Sequence, residues 1–199
     1  MATPEDILHF WFGEFESLSS ISTANQALWF KKDPEFDHHI QTRFSDALNQ
    51  ADSGAFDHWV EESPAKALAL LILFDQFPRN MYRSSGQAFA YDRKARIVAE
   101  EMVKKAWEKQ LSAPARMFIC VAMEHQEDMA VQRKGMELAD ALVADATEEY
   151  RQFAAFFHPF PRKHAEIIER FGRFPHRNAL LGRESTPEEL EFLVNFPGF

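Results

Sequence analysis

Two stretches of this chain offer no polar side to any helical wheel. Residues 67–74 read Ala-Leu-Ala-Leu-Leu-Ile-Leu-Phe, and residues 117–123 read Met-Phe-Ile-Cys-Val-Ala-Met. A helix that is apolar all round has to be covered on every side. Both runs are far shorter than the about 20 residues needed to cross a bilayer, so the cover has to be protein. Two central helices, over about 64–76 and 113–125, with amphipathic helices packed around them, are the first expectation. The material for such a core is present: 46% of the 199 residues are hydrophobic, with twenty Phe and four Trp among them.

The rest of the chain is punctuated for helices. Thr3-Pro4-Glu5-Asp6, Asp33-Pro34-Glu35, Ser63-Pro64 and Thr186-Pro187-Glu188-Glu189 each offer a cap residue followed by a proline at the first helical position. Ser112-Ala113-Pro114 is a looser version. Gly13, Gly54 and Gly172 stand where helices should stop. Phe36, Ile40, Phe44 and Leu48 recur every four residues, as do Ala95, Ala99, Met102 and Ala106. Met136, Ala139, Leu142, Val143 and Ala146 make a further stripe. No segment alternates with period two, so no sheet is expected. The spacing predicts helices over 4–12, 24–31, 34–51, 55–61, 64–76, 87–109, 113–125, 129–146, 148–157, 161–171 and 187–195. Short connections make them antiparallel neighbours. No linker rich in Gly or Ser divides the chain, so residues 1–199 read as one all-α domain.

Composition narrows the function. The net charge of −9 makes nucleic acid and anionic membrane surfaces poor partners. The single cysteine, Cys120, rules out an internal disulfide and sits in an apolar run, as a buried, inert thiol would. Residues 1–12 carry Glu5 and Asp6 and no basic flank, so they do not read as a signal peptide. A cytoplasmic protein is expected.

Polar chemistry enters where the two apolar helices end. Asp75 shares a face with Leu68, Leu71 and Ile72, and Glu124 shares one with Met117, Cys120 and Val121. His125 lies on the neighbouring stripe. A carboxylate in the last turn of a buried helix is desolvated and close to the negative end of the helix dipole. It has to find a cation or a donor, or keep its proton. Cations are concentrated in the segment from Arg162 to Arg183, which holds six basic residues against two acids. Phe77-Pro78-Arg79-Asn80 and Phe174-Pro175-His176-Arg177-Asn178 form two similar corners. Arg79, Arg173, His176, Arg177 and Asn178, together with Asp75, are therefore candidate ligand-binding residues. Glu124, His125 and His164 are the candidates for proton chemistry. Glu124, His125 and Asp128 also have helical spacings that suit a metal. The run lacks Glu-x-x-His and a second matching pair, so no metal or other cofactor is assigned.

The motifs Ile7 to Gly13 (ILHFWFG), Phe74 to Arg83 (FDQFPRNMYR), Ala88 to Asp92 (AFAYD), Glu124 to Asp128 (EHQED) and Ile168 to Thr186 (IERFGRFPHRNALLGREST) together resemble the bacterial domain-of-unknown-function family 924 over nearly the whole chain. The resemblance implies a compact all-α fold similar to tetratricopeptide-like domains and implies no activity. One departure from the family pattern is that Pro159 and Pro161 interrupt the helix that leads to His164.

Three readings follow. In the first, the candidates converge at one end of the central helix pair. Arg173 and Arg177 grip a small anionic metabolite, and His125 or His164 moves a proton in hydrolysis or isomerisation, with Glu124 orienting it. This predicts a concave pocket with more Arg than acids. In the second, the chain is a helical module that binds a peptide or protein along exposed Trp29, Phe30 and Trp59, with the motif residues as internal pins. In the third, the motifs only specify the fold.

Overall fold

The computed structural model describes residues 2–196 and 198. Among them the chain forms eleven α-helices and no strand. They are α1 (Pro4–Phe12), α2 (Gln26–Trp29), α3 (Pro34–Asp52), α4 (Trp59–Glu62), α5 (Pro64–Met81), α6 (Asp92–Lys104), α7 (Ala113–Glu124), α8 (Met129–Asp145), α9 (Arg151–Phe157), α10 (Pro159–Phe171) and α11 (Pro187–Asn195). Tighter 3-10 turns occupy Gly86–Phe89, Trp107–Gln110, Glu148–Tyr150 and Pro175–Arg177. No helix of the described residues is long and apolar enough to cross a membrane.

The two apolar runs are the centre of the molecule. Every residue from Ala67 to Pro78 of α5 and from Pro114 to Glu124 of α7 is buried. Helices α1, α3, α4 and α6 pack around α5, and α8, α9 and α10 pack around α7, with α5 and α7 in contact. Rings join the two halves. Phe118 of α7 meets Trp11, Phe12 and Trp29 edge-on, at centroid distances of 5.8, 5.5 and 5.1 Å. These are the tilted geometries that aromatic quadrupoles favour. Trp29 donates its indole N–H to the Trp11 carbonyl at 2.9 Å, which satisfies its one buried polar atom.

The start and stop signals act as read. Thr3 and Thr186 form reciprocal capping boxes with Asp6 and Glu189, and Asp33 and Ser63 accept from the first-turn amides of α3 and α5. Gly13, Gly54 and Gly172 all have positive φ. Ser112 is used differently. Its hydroxyl donates to the Ile21 carbonyl at 2.8 Å instead of capping α7, and Tyr150 donates to the same carbonyl at 3.1 Å. The loop between α1 and α2 is thereby pinned against the core.

Several boundaries differ, each for a local reason. Helix α5 continues through Pro78 to Met81. Proline lacks the N–H that would bond Phe74, but the turn is rebuilt by the Tyr82 amide donating to Pro78 at 2.9 Å and the Asn80 side chain donating to Gln76 at 2.9 Å. The helix expected over 87–109 is shorter, because Ala106 turns left-handed at φ 54°. Residues 24–31 and 55–61 keep only single turns, α2 and α4. Val143 lies on the solvent side of α8. The interruption expected at Pro159 and Pro161 falls at His158, between α9 and α10. The two prolines sit in the first turn of α10, where a missing N–H goes unnoticed, and that helix runs unbroken through His164. Trp29 and Trp59, expected at an exposed groove, are buried, and only Phe30 of that trio is exposed.

The C-terminal segment is clamped by charge. Arg173 makes two hydrogen bonds to Glu189, at 2.6 and 2.8 Å, and a third to the Glu184 carbonyl at 2.9 Å. These bonds hold the Glu189 carboxyl down at about 2. A value below the ordinary 4.5 means that the contribution is complete above that pH and is lost as pH falls towards 2. Hydrogen exchange should therefore show the α11 amides losing protection across this window. In Glu189→Gln protection should be lower at neutral pH and nearly flat across it. At the other end of the molecule, Phe118→Ala empties the ring junction. It should cost about 3–5 kcal/mol, read as a fall of roughly 6–20 °C in the thermal midpoint at about 2–4 °C per kcal/mol.

Candidate functional site

Helices α5 and α7 pack together and bring Asp75, inside α5, towards Glu124, the last residue of α7. Asp75 is 1% exposed. His125 Nδ1 donates to its Oδ1 at 2.8 Å, and the Gln76 side chain donates to its Oδ2 at 2.6 Å. The Arg79 guanidinium stands 3.6 Å from Oδ1. Burial opposes ionisation of Asp75, but His125 and Arg79 outweigh it and hold the carboxyl at about 2. For Glu124 the influence of Arg79 is outweighed. Its Oε2 is buried without a hydrogen-bond partner and lies 3.7 Å from His164 Nδ1. Burial, followed by the Asp75 charge, pushes its carboxyl well up, so it holds a proton. Burial and then Arg79 push His125 down, and burial and then His125 push His164 down to about 3. Both rings are neutral at pH 7. His164 is oriented by Nδ1 donating to the Phe160 carbonyl at 2.9 Å.

Beside this cluster, two arginines share one carboxylate. Asp92, at the start of α6, accepts from Arg79 at 2.8 Å on Oδ1 and from Arg177 at 2.9 Å on Oδ2. Arg177 comes from the 3-10 turn at Pro175–Arg177, and its guanidinium lies 4.4 Å from the Phe89 ring and 4.5 Å from the Phe174 ring. Burial lowers it to about 10, which still leaves a cation at neutral pH. Gly86 makes this sandwich feasible: a Cβ there would stand 2.6 Å from the Leu180 carbonyl oxygen, so a side chain would push the turn carrying Phe89 off the segment carrying Arg177.

A cleft opens over these groups in two lobes. The wider, of about 820 Å³, is lined by Lys32, Arg79, Arg83 and Arg177 with Phe89 and His176, and no carboxylate faces it among the described residues. The acids that hold its arginines are not part of its lining: Asp75 and Asp92 serve Arg79 and Arg177, and Asp37 accepts from Arg83 at 2.7 Å. Burial, then Arg177, pushes His176 down to about 4, so it adds no charge. The second lobe, of about 470 Å³, is lined by Trp29, Phe30, Phe153, Phe156, Phe157 and Phe160, with Glu124 at its base. Arg79, Arg83, His125 and His164 border both lobes and form the junction.

Of the residues expected at the site, Asp75, Arg79, Glu124, His125, His164, His176 and Arg177 come together. Arg173 and Asn178 do not line the cleft. Arg173 is occupied by Glu189, and Asn178 donates to Ser185 at 3.0 Å and accepts from Arg183 at 2.9 Å. Asp128 caps α8 and stands 3.3 Å from Arg96. Lys32 carries no local pattern that marks it, and Arg83 and Phe89 stand in quoted motifs without having been named as candidates. Asp92 closes the motif AFAYD, and its acid among aromatics was the available signal. Cys120 is fully buried, and burial, followed by the Glu124 charge, pushes its thiol far up.

Residues 7–196 match the family described as "Bacterial protein of unknown function (DUF924)". A solved structure, that of the protein of unknown function ATU0120 from Agrobacterium tumefaciens, is similar, with a TM-score of 0.79 and 36% identity over 97% of each chain. No curated protein matches the chain. With this match running from α1 to the end of the C-terminal clamp, the chain belongs to the bacterial family of unknown function DUF924.

Proposed function

We propose that the cleft binds a small anionic metabolite and presents it to His125 and His164 for hydrolase-like chemistry. The observation that carries this reading is the wider lobe, where four cationic side chains and, among the described residues, no carboxylate line a concave surface. A set of arginines matched only for structure would have its acids on the same surface. Here the acids are absent from the described lining, while Arg79, Arg83 and Arg177 border the cavity. Guanidinium forks suit phosphate and carboxylate oxygens.

The second lobe adds a requirement. A ligand that reaches the His125–His164 junction from the basic lobe meets six aromatic side chains beyond it. The best fit is an anion joined to an aromatic or alkyl body, with the bond between them over the junction. Such two-ended recognition combines apolar burial with a few placed polar groups. A cytoplasmic setting, where small anionic metabolites are abundant, belongs to the same reading.

A second reading is a tetratricopeptide-like module that binds a peptide. The exposure of Phe30 and Phe156, at 59% and 61%, favours it, because rings at a rim can receive a partner. Against it, Trp29 and Trp59 belong to the core.

Thermal-shift screening separates the two. A ligand at 100 times its Kd adds about 2.7 kcal/mol, or roughly 5–11 °C for a domain of this size. Phenyl phosphate and alkyl phosphates should shift the midpoint more than inorganic phosphate does. Lys32→Ala, which breaks no buried pair, should weaken the binding by roughly tenfold or less, and Arg177→Lys, which loses the fork, by more. A flat response across phosphates and carboxylates would leave the peptide reading in possession of the cleft.

A further inference from the structure

At the junction the buried acids outnumber the buried guanidiniums. Three carboxylates, Asp75, Asp92 and Glu124, meet two guanidiniums, Arg79 and Arg177. Asp92 takes one bond from each, and Asp75 takes His125 with Arg79 nearby. Glu124 is left over, with Oε2 buried and unbonded. One Glu124 oxygen and one ring nitrogen from each of His125 and His164 lie within 4.8 Å of one another. Neither ring is adrift. Asp75 takes His125 Nδ1, which leaves Nε2 as that ring's coordinating atom, and Phe160 fixes the His164 ring. Histidines that bind metals are oriented in this way by a carboxylate or a carbonyl on their other side.

We infer that Glu124, His125 and His164 form a three-ligand site for a divalent transition ion of the Zn²⁺ class at the junction of the two lobes. Two imidazoles and one carboxylate are a donor set that zinc accepts, with a further position left for water or substrate. Bonds of about 2.1 Å place tetrahedral donors about 3.4 Å apart, so the three side chains close by about 1 Å on binding. Histidine and glutamate here lie on α7 and α10, which already pack together. The open position faces the cleft, since His125 and His164 border both lobes. The inference rests on the anion-binding reading only for the metal's use: the ion would polarise the bound anion or a water beside it.

The test is titration of EDTA-treated protein with Zn²⁺ by calorimetry and with Co²⁺ by visible absorption. One equivalent should bind, with the Co²⁺ spectrum of a low-coordinate site, and His164→Ala and Glu124→Gln should each weaken binding at least tenfold. Binding that is unchanged in both variants belongs to exposed histidines such as His38 and His39 and overturns the site, as does the absence of binding to the wild type. Should a variant unfold, histidine ring NMR of the wild-type protein decides. Zn²⁺ should move the His125 and His164 signals, and shifts confined to other histidines overturn the inference. Phenyl phosphate binding to the EDTA-treated protein is measured alongside. Its failure removes the anion reading and leaves the metal site standing, whereas failure of Zn²⁺ binding alone does the reverse.

Discussion

The structure depends on burying two helices on all sides. The apolar runs of α5 and α7 can have no solvent face, so the residues that follow them on the same faces are buried too. Those residues are Asp75, inside α5, and Glu124, at the negative end of α7. A buried carboxylate left unpaired costs several kcal/mol, so the fold has to deliver cations and donors to that spot. It draws them from Arg79 on the same helix, from His125 just past α7, and from Arg177 far along the chain. Asp92 then ties Arg79 to Arg177 and with them the C-terminal segment to α5 and α6.

That requirement also shapes the surface. The acids are fixed from within by the helices, so the arginines lie over them and present their cations outwards. The result is a cleft whose floor is positive in a chain whose net charge is −9. The other basic groups of the C-terminal segment do different work. Arg173 holds Glu189, Arg183 makes two bonds to Glu127 at 2.6 and 2.9 Å, and Arg170 holds Glu188 at 2.9 Å. These pairs fasten α11 and the strap before it to the body, while Arg79 and Arg177 line the cleft.

Much of this was legible in residue pattern. Ala67–Phe74 and Met117–Met123 could only be central, and Asp75 and Glu124 could only be inward. The caps at Thr3, Asp33, Ser63 and Thr186 and the stops at Gly13, Gly54 and Gly172 are local chemistry, and local chemistry is what a sequence displays. The division among the arginines was not legible. Arg173 and Arg177 stand four apart in one motif, yet they point to different acids, because Gly172 and the 3-10 turn at Pro175–Arg177 redirect the chain between them. Lys32 was hidden for a similar reason: its role comes from segments that meet only in three dimensions. The joining of Glu124 and His125 with His164 also depends on α10 packing against α7, where sequence spacing offered Asp128 instead.

The central claim is that Arg79 and Arg177 face a ligand, whereas Arg173, Arg183 and Arg170 are structural. Side-chain Nε–Hε NMR of the arginines during a phenyl phosphate titration tests it most directly. The account predicts saturable shifts at Arg79 and Arg177, with Arg173, Arg183 and Arg170 unmoved. Shifts confined to Arg173, Arg183 and Arg170, or no shift at any arginine up to saturating concentrations, would contradict it.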